Sequence, residues 1–208
     1  MSDRLAHHTV PVIPQPASPA PTRPFTVLAV CTGNICRSPA VERLLAARLG
    51  PDADVRVVSA GTGALAGHPV SGPMVPLMTA AGASADGFAA RQLTAEMIRE
   101  ADLVLPLTRR HRSAVVELVP GAVRRTFTLL ELARLAGTVD PDAILAGSPA
   151  QRLAALVPLL TGERARHHHR PGFDDDVPDP YRQGDAVYAR VFAAIEPAVD
   201  VIARLARG

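Results

Sequence analysis

Cys31 and Arg37 bracket five residues, Thr32-Gly33-Asn34-Ile35-Cys36, and Ser38-Pro39 follow directly. A loop of this length can curl its backbone N–H groups around one tetrahedral anion. A helix opening at Ser38-Pro39 adds its positive N-terminal end, with Ser38 the expected N-cap and Pro39 suited to the first turn. Arg37 can hold two oxygens of the anion through its planar fork. The same field favours a thiolate: free cysteine titrates near about 8.5, and a helix N-terminus can bring it to roughly 3.5–7.5. A thiolate at Cys31 facing a bound phosphate is an arrangement for displacement at phosphorus. Gly33 and Asn34 are residue types that accept the positive φ such a loop needs. The Ser38 hydroxyl can donate to the Cys31 thiolate. A nucleotide-binding Walker loop is excluded, because that motif needs a lysine and all 22 basic residues are arginine.

Displacement from a tyrosyl phosphate also needs an acid for the leaving phenolate. Asp179-Pro180-Tyr181 lies in an expected loop before the last helix, far from Cys31 in sequence. From there Asp179 can arch over the pocket, protonate the departing oxygen, and then serve as base for the water that attacks phosphocysteine. Asp174, Asp175 and Asp176 are rival carboxylates without the Pro-Tyr context. His167, His168 and His169 beside them have the residue types of a metal site, but adjacent histidines do not point at one centre, so no metal is assigned. His68, in a Gly-His-Pro turn, is read as structural, with an approach to the anion loop as the alternative, and His111 as part of a solvated helix face. Tyr188 is left between core and surface. Cys36 has two readings: a small apolar residue opening the helix, or the partner of Cys31 in a reversible disulfide.

The elements around these residues read as alternating strands and helices. Strands are expected at Phe25–Val30, Val55–Ser59, Asp102–Leu105 and Ala122–Phe127. Helices are expected at Pro39–Leu49, Pro73–Ala81, after Thr94 to Arg99, after Thr108 to Leu118, at Leu129–Leu135, Pro149–Leu160 and Asp185–Ala206. The alternation predicts an α/β fold: a four-stranded parallel twisted sheet flanked by helices on both faces. Sites in such sheets lie beyond the carboxyl ends of strands, which is where the Cys31 loop falls. Residues 1–24 hold six prolines and no apolar periodicity, so they read as a disordered tail. The domain is expected over 25–208, with a loop-rich insertion at about 138–176.

Hydrophobic residues make up 48% of the chain and aromatics 3%, so the core must be mostly Ala, Val and Leu. A net charge of +2 without basic runs does not fit a nucleic-acid partner. The sequence shows no signal-type stretch and no apolar run of the roughly 18 residues that would span a membrane. Two cysteines do not make a secreted disulfide scaffold, so a reducing cytoplasm is the expected compartment.

Residues 30–39 and 179–181 together resemble the low-molecular-weight protein tyrosine phosphatase family: Val-Cys-x-Gly-Asn-x-Cys-Arg-Ser-Pro, then Asp-Pro-Tyr. Ser59-Ala60-Gly61-Thr62, Ala90-Arg91-Gln92-Leu93-Thr94 and Ala101-Asp102-Leu103-Val104-Leu105 resemble family sequences as well. The resemblance implies a phosphocysteine on Cys31, transition-state binding by Arg37, and acid–base work by Asp179. It implies Thr32, Gly33, Asn34, Ile35, Cys36, Ser38, Leu65 and Tyr181 around the substrate, and no cofactor. The implied partners are phosphotyrosine proteins, a tyrosine kinase among them, and free phosphate or other oxyanions. Leu65 stands where many members carry an aromatic, and Arg182 where a second aromatic follows Asp-Pro-Tyr. The alternative activity is arsenate reduction on the same fold with an external small thiol. The thioredoxin-linked version would need further cysteines. A non-catalytic phosphate-binding module would be expected to lack Cys31, Arg37 or Asp179, and all three are present.

Overall fold

The computed structural model describes residues 23–140, 143–144, 146–167 and 174–208. Residues 1–22 of the expected tail lie outside the described residues, as do His168, His169 and the side chain of His167. The sheet has three parallel strands in the order β2-β1-β3. β1 spans Phe25–Cys31, β2 Val55–Gly61 and β3 Leu103–Pro106. β1 is central, pairing from Phe25↔Val55 to Cys31↔Gly61 on one side and from Val27↔Leu103 to Val30↔Pro106 on the other. Every residue of β1 is buried, which is why it reads as a continuous apolar run rather than an alternating one.

Side-chain alternation along β1 divides the core in two. Val27, Ala29 and Cys31 face the larger cluster, with Leu44 and Leu45 of α1 (Arg37–Leu49), Leu132 of α5 (Leu129–Ala136), Leu156 of α6 (Pro149–His167) and Ile195 of α7 (Asp185–Arg207). Leu28 and Val30 face the smaller one, with Ile98 of α3 (Ala95–Glu100) and Val115 of α4 (Arg109–Leu118). A single-turn segment, Gly72–Met74, leads into the short α2 (Val75–Ala80). Helices therefore cover both faces, as expected. Their starts follow local chemistry: the Thr94, Thr108 and Thr128 hydroxyls cap α3, α4 and α5 by accepting from Met97, His111 and Glu131 N–H groups.

The expected fourth strand is corrected. Pro120–Arg125 winds as a 3-10 helix, and only Thr126 meets the sheet, as an isolated bridge to Val104. Pro120 suits a helical first turn, and the Thr126 hydroxyl turns back to the Ala122 carbonyl at 2.8 Å. Thr128 is already committed to the capping box of α5. Too little extended chain remains for a strand. In the expected insertion, α6 continues past Leu160 to His167, and Leu153, Leu156 and Leu160 join the larger core. At the other end, Arg23 of the expected tail makes paired hydrogen bonds to Asp102. No helix among the described residues is long and apolar enough to cross a membrane.

The carboxyl ends of β1 and β2 meet at Cys31 and Gly61. A Cβ on Gly61 would lie 2.3 Å from the Thr32 carbonyl oxygen and 3.0 Å from the Asn34 nitrogen, both backbone atoms that cannot swing aside. Gly61→Ala should therefore destabilise the protein by about 1–3 kcal/mol in urea unfolding, the range for overpacking. An unchanged midpoint would show that the loop does not need this close approach.

Candidate active site

Four loop carbonyls are held from outside. Thr62 N–H donates to the Cys31 carbonyl (2.9 Å), Gly63 N–H to Thr32 (3.1 Å), Leu65 N–H to Gly33 (3.0 Å) and Ser71 N–H to Ile35 (2.7 Å). Within a trans peptide the N–H points opposite to the C=O, and no cis peptide occurs among the described residues. The N–H groups of Thr32, Gly33, Asn34 and Cys36 therefore face away from segment 61–71, into the loop. Asn34 makes the reversal at φ 53°, a left-handed value that asparagine tolerates. The result is a concave set of donors, followed at once by the N-terminus of α1.

The Cys31 thiol lies at this concavity, 2% exposed, with its Sγ 3.0 Å from Ser38 Oγ. Ser38 is not the N-cap; α1 begins at Arg37, and Cys36 holds the cap position without a side-chain bond. Its hydroxyl instead joins a buried network. Asn34 Nδ2 donates to Ser38 Oγ (2.9 Å) and to Ser59 Oγ (2.8 Å), and Ser59 donates to Glu42 Oε2 (2.6 Å). Arg91 N–H donates to Asn34 Oδ1 (2.8 Å), and its guanidinium pairs with Glu42 at 3.3 Å. Asn34 and Ser38 thus sit behind the loop rather than on its open side.

Arg37 has a side chain only 4% exposed. One Nη donates to the Val177 carbonyl (3.0 Å), the other pairs with Asp179 Oδ2 (2.8 Å), and Nε is buried without a partner among the described residues. An unpaired buried guanidinium would cost several kcal/mol, so these contacts keep the cation at the site. Val177 is itself fixed, its N–H donating to Leu107 O at 2.8 Å. Asp179 remains half-exposed and accepts from Tyr181 N–H at 3.2 Å. The rival acids are engaged elsewhere, Asp175 with Arg134 and Asp174 and Asp176 with Arg109.

One pocket of about 140 Å³ brings together Cys31, Thr32, Gly33, Ile35, Cys36, Arg37, Leu65, Asp179 and Tyr181, with Gly63 added. Ile35 and Leu65 give it aliphatic lining and Tyr181 an aromatic ring. Arg182, at φ 60°, places its guanidinium 5.2 Å from the Tyr181 ring centroid, outside the pocket lining. Cys36 faces Tyr188, Sγ to hydroxyl 3.6 Å, and burial raises its pKa, which keeps it a thiol. Tyr188 is a core residue, 3% exposed, and also meets Ser71 Oγ at 2.9 Å. His68 is exposed in its turn and outside the pocket.

His111 is the residue that the sequence reading missed. It is not on a solvated face: it is 4% exposed, and its Nε2 lies 2.9 Å from Thr32 Oγ1. The available signal was its position one turn before the buried Val115, on the same face of α4. Burial, then the nearby Arg37 cation, lowers its pKa from 6.5 to about 4. The unfolded chain thus takes up this proton first as pH falls. The stability due to neutral His111 is complete above about pH 6.5 and is lost toward pH 4, on the order of 3 kcal/mol across that window. Urea midpoints at pH 7 and 4.5 should fall further in wild type than in His111→Gln; equal falls would place the acid sensitivity elsewhere.

The sequence model for low molecular weight phosphotyrosine protein phosphatases matches residues 26–142. The low molecular weight protein-tyrosine-phosphatase Wzb of Escherichia coli K12 is 39% identical over 170 residues, 82% of this chain and 87% of Wzb. Etp of the same strain is 44% identical over 95 residues, covering 46% of this chain and 62% of Etp, less than two thirds of its length. Among solved structures, the YwlE arginine phosphatase from Geobacillus stearothermophilus matches with a TM-score of 0.63 at 28% identity, over 87% of this chain and 92% of that one. With its family model covering more than half the residues and Wzb aligned along most of both chains, this protein belongs to the low molecular weight phosphotyrosine protein phosphatase family.

Proposed function

We propose that the protein hydrolyses phosphotyrosine monoesters through a phosphocysteine on Cys31. The supporting observation is the single pocket that holds the Cys31 thiol, the inward N–H groups, Arg37 and, at its mouth, Asp179. The phosphoryl group enters with three oxygens toward the loop amides and the Arg37 guanidinium, whose Nε, unpartnered among the described residues, is a donor they can satisfy. Because Asp179 occupies one Nη in the free protein, the incoming phosphate competes for that contact and shifts the carboxyl toward the ester oxygen. Cys31 Sγ then forms the S–P bond as the P–O bond to the phenol breaks, with the proton supplied by Asp179. Water next attacks phosphorus, Asp179 takes its proton, and the S–P bond breaks to release phosphate and the thiolate. The Ser38 hydroxyl, 3.0 Å from Sγ, stabilises that thiolate as nucleophile and as leaving group. No cofactor enters this sequence.

Ile35, Leu65 and Tyr181 form walls suited to a flat phenyl ring. The physiological substrates in this reading are phosphotyrosine proteins, a tyrosine kinase among them, in a reducing cytoplasm that keeps Cys31 and Cys36 free. Residues 25–208 act as the phosphatase domain, carrying the added segment at about 138–176, with 1–24 as a tail.

Wild type and Cys31→Ser are to be compared on p-nitrophenyl phosphate, a phosphotyrosine peptide, a phosphoarginine peptide and arsenate with a small thiol. Wild type should release phosphate from both aryl esters and Cys31→Ser should not turn over. Asp179→Asn should slow phosphotyrosine cleavage by about 100-fold or more while Cys31 still alkylates at its normal rate. No phosphate release by wild type, or preference for phosphoarginine or arsenate, overturns the phosphotyrosine reading.

A further inference from the structure

The chain entering α4, residues 107–111, touches both loops of the site. On one side His111 Nε2 meets Thr32 Oγ1, in the loop that carries Cys31, at 2.9 Å. On the other, Leu107 O accepts from Val177 N–H at 2.8 Å and Asp176 Oδ1 accepts from Arg109 N–H at 2.7 Å. Val177 and Asp176 lead directly into Asp179. The imidazole is also held at its second nitrogen: Nδ1 is 2.9 Å from Thr108 Oγ1, which itself accepts His111 N–H at 3.2 Å.

We infer that His111 is a positioning residue for the anion loop, tying Thr32 to the same turn that anchors the Asp179 loop, so that nucleophile and acid share one frame. The inference rests on the roles proposed above for Cys31 and Asp179. Thr32 is the sensitive place to hold. Its N–H belongs to the peptide whose carbonyl Thr62 fixes from outside, so its side chain is the remaining freedom at the start of the loop. A ring bonded at both nitrogens removes that freedom. The ring also does so without charge near neutral pH: burial and Arg37 depress its protonation, Arg110 adds to this, and Asp179 and Asp176 oppose it. A second cation beside Arg37 would compete for the Asp179 carboxylate; a neutral imidazole does not.

The test uses the full chain and two readouts. Calorimetric binding of inorganic phosphate reports on the loop without turnover, and kcat/KM on p-nitrophenyl phosphate reports on loop and acid together. A glutamine amide reaches about as far as Nε2 and keeps Thr32 in range, whereas asparagine reaches only about as far as Nδ1. His111→Gln should stay within about twofold of wild type. His111→Asn and Thr32→Val should each weaken phosphate binding about three- to tenfold, the range for one neutral hydrogen bond. The Thr32→Val/His111→Asn pair should be no weaker than Thr32→Val alone. Thr32→Val leaves His111 intact and carries the test if the His111 variants do not fold. Losses that multiply in the pair, or His111→Asn or Thr32→Val binding as tightly as wild type, overturn the inference. A wild type that binds phosphate without hydrolysing esters overturns the proposed function, and the binding series then still decides the role of His111.

Discussion

The site depends on which way the peptides of one loop point. Segment 61–71 takes the carbonyls of Cys31, Thr32, Gly33 and Ile35 on its own N–H groups, so the loop must present its N–H groups to the opposite side. Each bond is worth only about 1 kcal/mol net, but together they pre-arrange four donors before any anion arrives. Preorganised donors do not have to reorient as charge develops, which is where such groups gain their effect. The close approach is possible because Gly61 has no side chain to strike the Thr32 carbonyl.

The remaining parts of the site are built outward from that loop. β1 brings Cys31 to the centre of the sheet edge because it is buried on both faces between the two core clusters. Arg37, at the start of α1, reaches across to Val177 and Asp179, residues far along the chain. Its buried charge therefore holds the Asp179 loop in register with Cys31, and in the proposed reaction it also faces the phosphate. The network Asn34–Ser59–Glu42–Arg91 braces the loop from behind. Glu42 is buried there with two arginines near it, which offsets the cost of its desolvation.

The sequence made legible what depends on neighbours along the chain. Cys31 through Pro39 could be read as an anion loop because all its parts are consecutive, and Asp179 because Pro180 and Tyr181 mark its context. Helix starts at Thr94, Thr108 and Thr128 were legible from capping chemistry. Contacts across the fold were not. His111 bonds to Thr32, 79 positions away, and the run Arg109-Arg110-His111-Arg112 looks locally like a wet surface. The Ala122–Phe127 segment has strand-like residues, but Pro120-Gly121 before it and the Thr128 cap after it left room for a single bridge. Ser38 looked like a cap because serine often is one; the Cys31 thiol and the Asn34 amide claimed its hydroxyl instead.

The central claim is that Cys31 takes the phosphoryl group itself. The most direct measurement is rapid mixing of Asp179→Asn with p-nitrophenyl phosphate, whose leaving group needs little protonation, followed by denaturing quench and peptide mass spectrometry. The account predicts a phosphate on the peptide containing Cys31, appearing with the nitrophenol burst and missing from Cys31→Ala. Nitrophenol release with no phosphate on Cys31, or with phosphate on another residue, would contradict it.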